Sequence, residues 1–155
     1  MVAAAIKSLL GNTIFLATAS SLITAQMLKM VFVLTYGRRK FREAIETAIW
    51  RTGGMPSSHS AVVCSLTTSV GVTEGIASNL FIFCFWFALV VLRDALGVRR
   101  ASGLQARALN NLGRQFVEKV GGEFHAVKEI QGHSPLEVLV GALLGIFIAA
   151  GFALL

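Results

Sequence analysis

Little in this sequence is charged. Asp, Glu, Lys and Arg together make up 14% of its 155 residues, against about 25% in an ordinary soluble domain. With 55% hydrophobic residues and a mean hydropathy of +0.71, this deficit excludes a water-soluble core and points to one membrane-embedded domain, residues 1–155. Cysteine is scarce too. Cys64 and Cys84 both sit in apolar runs, which excludes a disulfide framework or a zinc cluster and leaves them as packing residues. No internal repeat, low-complexity tract or linker is present. Ahead of the first apolar run only Lys7 is charged and no small-residue cleavage site is evident, so a cleaved signal peptide is not expected.

Apolar length is what the chain has in quantity. About 20 apolar residues span a bilayer as a helix. Residues 11–36 qualify, with Lys29 their only charge. Residues 56–92 are too long for one span and are interrupted at 71–79, which divides them into two. The second of these carries Phe81, Phe83, Phe85, Trp86 and Phe87, a lipid-facing or packing surface. Residues 134–155 make a fourth span with Glu137 its only charge, and Gly141 and Gly145 have the spacing that lets membrane helices approach closely. The expected fold is all-α: an integral membrane bundle of about four transmembrane helices plus one or two interfacial helices.

Two basic connections join these spans. Residues 37–51 hold Arg38, Arg39, Lys40, Arg42 and Arg51; the segment between spans three and four holds Arg99, Arg100, Arg107, Arg114, Lys119 and Lys128. In that second connection Leu104, Ala108, Leu112 and Phe116 recur every four residues, as in a helix lying along a membrane surface. With four spans both connections fall on one side, which then holds every basic residue except Lys7. The positive-inside rule makes it the cytoplasmic or stromal face of a bacterial inner membrane or an organelle membrane such as that of a plastid. Topology therefore accounts for the net charge of +6, and nucleic-acid binding is not expected. His125, beside Glu123 and Lys128, is expected to be solvated.

The polar residues inside the spans converge on that same face. Lys29 lies in the last third of span one. Gly53-Gly54-Met55-Pro56-Ser57-Ser58-His59-Ser60 opens span two, with Pro at a first turn and Ser outside it to cap free N–H groups. The amides and positive dipole end left there suit an anion, phosphate above all. Asp94, Arg99 and Arg100 close span three, and His133 and Glu137 open span four. Ionisable groups in membrane segments are costly and point to function. His133 and Glu137, at i and i+4, are expected to share one helix face, where the carboxylate would fix the tautomer and leave the second ring nitrogen to attack. The plainer alternative is a Glu that caps a helix start beside an incidental His.

Thr52-Gly53-Gly54-Met55-Pro56-Ser57-Ser58-His59-Ser60-Ala61, Asp94-Ala95-Leu96-Gly97-Val98-Arg99-Arg100, Gly103, Gln105-Ala106, Leu109-Asn110 and Gly132-His133-Ser134-Pro135-Leu136-Glu137-Val138 together resemble the divergent branch of the type 2 phosphatidic acid phosphatase superfamily, related to acid phosphatases and vanadium-dependent haloperoxidases. The likeness runs from Ala25-Gln26 and Lys29 onward. It implies a metal-free phosphohydrolase, with no cofactor, acting through a phosphohistidine: His133 as nucleophile, Glu137 in place of the Asp that orients it, Ser57 and His59 on the Ser and His of a Pro-Ser-Gly-His motif, and Lys29 as the first-motif Lys. Ser58 stands where the family has Gly. The first-motif Arg-Pro pair and an Arg shortly before His133 are missing, a charge that Arg99 and Arg100 could supply. The chain is shorter than the usual six-helix phosphatase, so a homodimer would complete the bundle.

Three readings follow. In the first, Lys29, Ser57, Ser58, Arg99 and Arg100 hold a phosphatidate-, phosphatidylglycerophosphate- or prenyl-phosphate-like substrate while His133, His59 and Glu137 do the chemistry. There Asp94 supports the arginines by pairing with Arg93, Arg99 or Arg100. In the second, His59, His133, Glu137 and Asp94 ligate a hydrolytic metal. In the third, the protein binds anionic lipid headgroups without catalysis, as a scaffold or regulator.

Overall fold

The computed structural model describes residues 1–36, 54–129 and 132–154, with the backbone alone at Tyr36 and Arg99. The expected basic connection at 37–51 and the Thr52-Gly53 start of the motif lie outside the described residues. The described residues form α1 (Val2–Leu10), α2 (Thr13–Tyr36), α3 (Ser58–Thr73), α4 (Asn79–Leu96), α5 (Val98–Val120) and α6 (Pro135–Ala153). Among the described residues there is no strand.

Polar caps set the helix starts. Asn12 Oδ1 accepts the Phe15 N–H at 3.0 Å ahead of α2, Ser57 caps α3, and Ser78 Oγ accepts the Phe81 N–H at 3.1 Å ahead of α4. The break expected at 71–79 is therefore real. α6 starts one residue inside the span expected at 134–155. Ser134 is its cap and Pro135 its first residue, so His133 stands just outside the helix rather than on its face. Proline at the first helical position has no N–H to lose, and the Ser before it closes the cap, which stops the helix there.

Among the described residues, three stretches are long and apolar enough to cross a membrane: Thr13–Thr35, Asn79–Val120 through its α4 part, and Pro135–Ala153. The expected second span, α3, differs from these. At 16 residues it is about 24 Å long at 1.5 Å per residue, short of a roughly 30 Å hydrocarbon core. It packs against α2, α4 and α6, and Ser58, Ser60, Ser65 and Ser69 are all buried in it. A helix surrounded by helices does not meet lipid tails and has no need to be apolar. The lipid-facing surface belongs to its neighbours, where Phe83, Trp86 and Phe147 are exposed.

Small residues let these helices touch backbone to backbone. A Cβ at Gly141 would collide with the Ser57 carbonyl, and one at Gly145 with the Ala61 carbonyl. The two contacts advance in the same direction, so α3 and α6 run parallel with their N-termini together. Where lipid tails are as apolar as any side chain, such close approach is the main source of helix association. On α2 the buried row is Ala17, Ser21, Ala25 and Lys29, four residues apart. The stem of Lys29 lies 3.6–3.9 Å from where a Gly54 Cβ would stand. That places the C-terminal third of α2 against the loop that starts α3.

α5 packs on α4 and on no other described helix. The expected face of Leu104, Leu112 and Phe116 is exposed, as a surface-lying helix requires. Gly121 and Gly122, both at positive φ (81° and 109°), end α5 and turn the chain back on itself. Residues 121–129 then return along α5. Phe124 covers Gly113, the Asn110 side chain bonds Val127 and Glu129, and Arg107 Nε donates to Glu129 at 3.2 Å.

Gly145→Leu should therefore separate α3 from α6 and cost about 3 kcal/mol or more by overpacking. Gly151→Ala, where the added methyl meets nothing within 4 Å, should stay within about 0.5 kcal/mol, as surface substitutions usually do; thermal unfolding in detergent checks both. The return segment should respond to acid. Hydrogen bonding from Asn110, followed by the Arg107 hydrogen bond and charge and the Arg114 charge, holds the Glu129 carboxyl below its usual 4.5. A depressed carboxyl stabilises the folded arrangement above its unfolded value and loses that support as pH falls through its folded value. Protection of residues 121–129 against hydrogen exchange, relative to the intrinsic rate at each pH, should fall on acidification below about 4.5, and Glu129→Gln should remove that acid step.

Candidate functional site

The end of the bundle where α3 and α6 begin is held by one backbone hydrogen bond, from the Ser57 N–H to the Glu137 carbonyl at 3.0 Å. Ser57 itself is fully buried. Its Oγ accepts the Ser60 N–H at 3.4 Å and the Ser60 hydroxyl at 2.9 Å, so its oxygen is occupied in starting α3. The neighbouring Ser58 hydroxyl is buried and has no hydrogen-bond partner. Polar groups in that state are rare because each costs about 1–3 kcal/mol unless something fills its bonding capacity. Gln26, three residues before Lys29 on α2, likewise has its Oε1 buried and unpartnered.

His133 and Glu137 meet although only Glu137 is helical. Glu137 Oε2 lies 2.9 Å from His133 Nδ1 and accepts the Ser134 N–H at 3.1 Å, while the Glu137 N–H donates to Ser134 Oγ at 3.3 Å. The carboxylate is thus both the third residue of a capping box and the partner of a buried imidazole, 4% exposed. The two alternatives the sequence offered for Glu137 are the same geometry. An ionised carboxylate only accepts, so a neutral imidazole in this pair would hold its proton on Nδ1 and its lone pair on Nε2.

Lys29 is 4% exposed and interacts electrostatically with Glu137. Arg100, in the first turn of α5, is exposed, but its backbone lies against Gly132, where a Cβ would not fit. This contact brings the start of α5 to the residue before His133. His59 occupies the first turn of α3 and is exposed. Ser57 and Ala61 face α6, and His59, roughly 200° round from Ser57 at 3.6 residues per turn, lies on the other side of the helix. Asp94 is half-buried in the last turn of α4. The Arg99 side chain is outside the described residues. His59, His133, Glu137 and Asp94 do not gather as ligands: among the described residues, no group of three or more His, Cys, Asp or Glu is placed to hold a metal ion.

Two parallel helix N-termini, a buried ammonium and an exposed guanidinium therefore share one end of the bundle with an oriented imidazole. Such an end carries positive potential and suits an anion. Sequence reasoning missed the supporting residues: Ser60, which closes the α3 cap, Ser134, which closes that of α6, and Asn110. The capping box could have been found from the Ser-x-x-Glu spacing of Ser134 and Glu137.

The divergent PAP2 family matches residues 10–148. The chain belongs to the divergent PAP2 family. It is also 36% identical over 151 residues, 90% of this chain and 93% of the relative, to the uncharacterized membrane protein YuiD of Bacillus subtilis (strain 168). No solved structure matches the chain. With its apolar helices, this divergent PAP2 member is a membrane protein. In the divergent PAP2 chain the double duty of Glu137 is separable by mutation. Ser134→Ala should remove the cap alone and cost about 1 kcal/mol. Glu137→Ala should also strip the imidazole of a charged partner and cost about 2–3 kcal/mol. Thermal unfolding of the two variants side by side checks the ranking.

Proposed function

We propose that this divergent PAP2 protein is a membrane-embedded lipid phosphate phosphohydrolase working through a phosphohistidine. The observation that carries the reading is the His133–Glu137 pair at 2.9 Å, set beside buried Lys29 where two helices begin. His133 Nε2 attacks phosphorus in line, and the phosphorus–ester oxygen bond breaks. His59 gives its proton to the departing lipid oxygen, then takes one from water, and the resulting hydroxide cleaves the phosphorus–nitrogen bond to release inorganic phosphate. Lys29, Arg99 and Arg100, the Ser58 hydroxyl and the free amides at the start of α3 stabilise the equatorial oxygens, with Ser57 beside them. Asp94 supports the arginines. No metal or cofactor takes part in this scheme.

The substrates proposed are lipids whose phosphate lies at the basic face, which by the positive-inside rule would turn towards cytoplasm or stroma: phosphatidate, phosphatidylglycerophosphate or a prenyl phosphate. A second reading, a non-catalytic binder of anionic headgroups, is favoured by one observation: His59 lies on the side of α3 away from α6. The two readings part in one assay. Purified protein in lipid is screened against the three substrates for phosphate release, with EDTA and vanadate arms. Hydrolysis should resist EDTA and be blocked by vanadate. His133→Ala should lower it at least about 1,000-fold, as loss of a nucleophile does, and His59→Ala about 100-fold or more, the range of a general acid–base. Phosphate-lipid binding without release from any of them would leave the binder reading.

A further inference from the structure

The interfacial helix α5 carries one residue that its exposure to solvent and lipid does not explain. Asn110 is 2% exposed in the middle of a helix whose neighbours Leu109 and Leu112 are 50% and 64% exposed. Asn is a poor helix former because its amide competes for backbone hydrogen bonds. Here that amide is fully engaged elsewhere. Oδ1 accepts the Val127 N–H at 2.9 Å, and Nδ2 donates to the Val127 carbonyl at 3.0 Å and to Glu129 Oε1 at 3.0 Å. The side chain pairs with extended backbone as a neighbouring strand would, and Glu129 closes the arrangement by accepting from Arg107 at 3.2 Å.

We infer that Asn110 is a positioning residue for His133: by clamping the returning chain to α5, it sets where Gly132 seats and so where the imidazole stands. The contacts run antiparallel in register, Phe124 on Gly113, Val127 on Asn110, Glu129 on Arg107 and Gly132 on Arg100. At the last of these the fit excludes even a methyl group. His133 follows directly and is gripped on its other side by Glu137 of α6. The residue thus stands between two separately held elements. Because α5 touches α4 and no other described helix, the clamp is what transmits the position of α5 to His133. Displacing a reacting group by 1 Å can cost about 100-fold in rate, so a clamp remote from the chemistry is worth having. This inference deepens the reading of His133 as the working imidazole.

The test uses the full chain in lipid nanodiscs with nitrogen-15-labelled histidine. A proton held between imidazole Nδ1 and a carboxylate gives a low-field NMR signal, assigned to His133 by its loss in His133→Ala. Asn110→Ala should broaden or abolish that signal and weaken orthovanadate binding about tenfold, while the helical circular dichroism stays. Asn110→Asp, which keeps one acceptor but opposes Glu129, should behave alike. Adding Glu129→Gln to Asn110→Asp returns a donor to the pair and should restore both readouts. Glu118→Gln, on the exposed side of α5, should change neither. An Asn110→Ala protein with its signal intact overturns the inference, and so does an unaltered protein that lacks the signal. Should Asn110→Ala fail to fold, the Asp variant decides: equal signals with and without Glu129→Gln overturn the inference, and restoration in the pair alone supports it. Unaltered protein that shows the signal yet neither binds vanadate nor releases phosphate would end the phosphatase reading and leave the role of Asn110 standing.

Discussion

The contact of α3 with α6 sets the position of everything at the working end. Gly141 and Gly145 present bare backbone to the carbonyls of Ser57 and Ala61, and the Ser57 N–H reaches the Glu137 carbonyl. The two helices therefore lie parallel, with the start of α3 beside the second turn of α6. Their N-terminal dipoles add instead of cancelling, and the loop before one is placed beside the cap of the other. No side chain larger than hydrogen at 141 or 145 would allow this. The small row of α2, Ala17, Ser21 and Ala25, extends the same close packing to a third helix and buries Lys29 at the end of the row.

Polar groups are few in this bundle, and several serve two purposes. Glu137 caps its own helix, pairs with His133 Nδ1 and interacts electrostatically with Lys29. Ser57 starts α3 with its hydroxyl and ties α3 to α6 with its amide. In a medium of low dielectric each such group must be satisfied, so concentrating the bonds on a few residues limits the burden of burying them. Ser21, Gln26, Ser58, Ser65 and Ser69 depart from this pattern, each with a buried side-chain oxygen that has no partner. Of these, Ser58 is the one in the first turn of α3, where a bound oxyanion would complete its bonding.

The polar end of the bundle also meets α5, which packs on α4 and on no other described helix. One side of it is apolar and exposed, and another carries the returning chain to Gly132. On the inference drawn above, this amphipathic helix would support His133 through one Asn and one Gly.

Much of this was written in residue order alone. Apolar run lengths dictate α2, α4 and α6, because hydrocarbon admits only helices and closed barrels and runs of this length suit helices. Ser-Pro and Ser-x-x-Glu patterns dictate where helices start, since capping acts over three or four residues. The His133–Glu137 pair is likewise local. What composition could not decide is which helix stands at the centre: serine-rich α3 reads as a weak span, and only its burial among three neighbours explains the absence of lipid-facing apolar residues. Nor could spacing show that His133 lies outside its helix, that His59 points to the far side of α3, or that Asn110 binds chain 17 residues away. Those outcomes depend on how elements distant in sequence pack, and no local propensity encodes the distance between them.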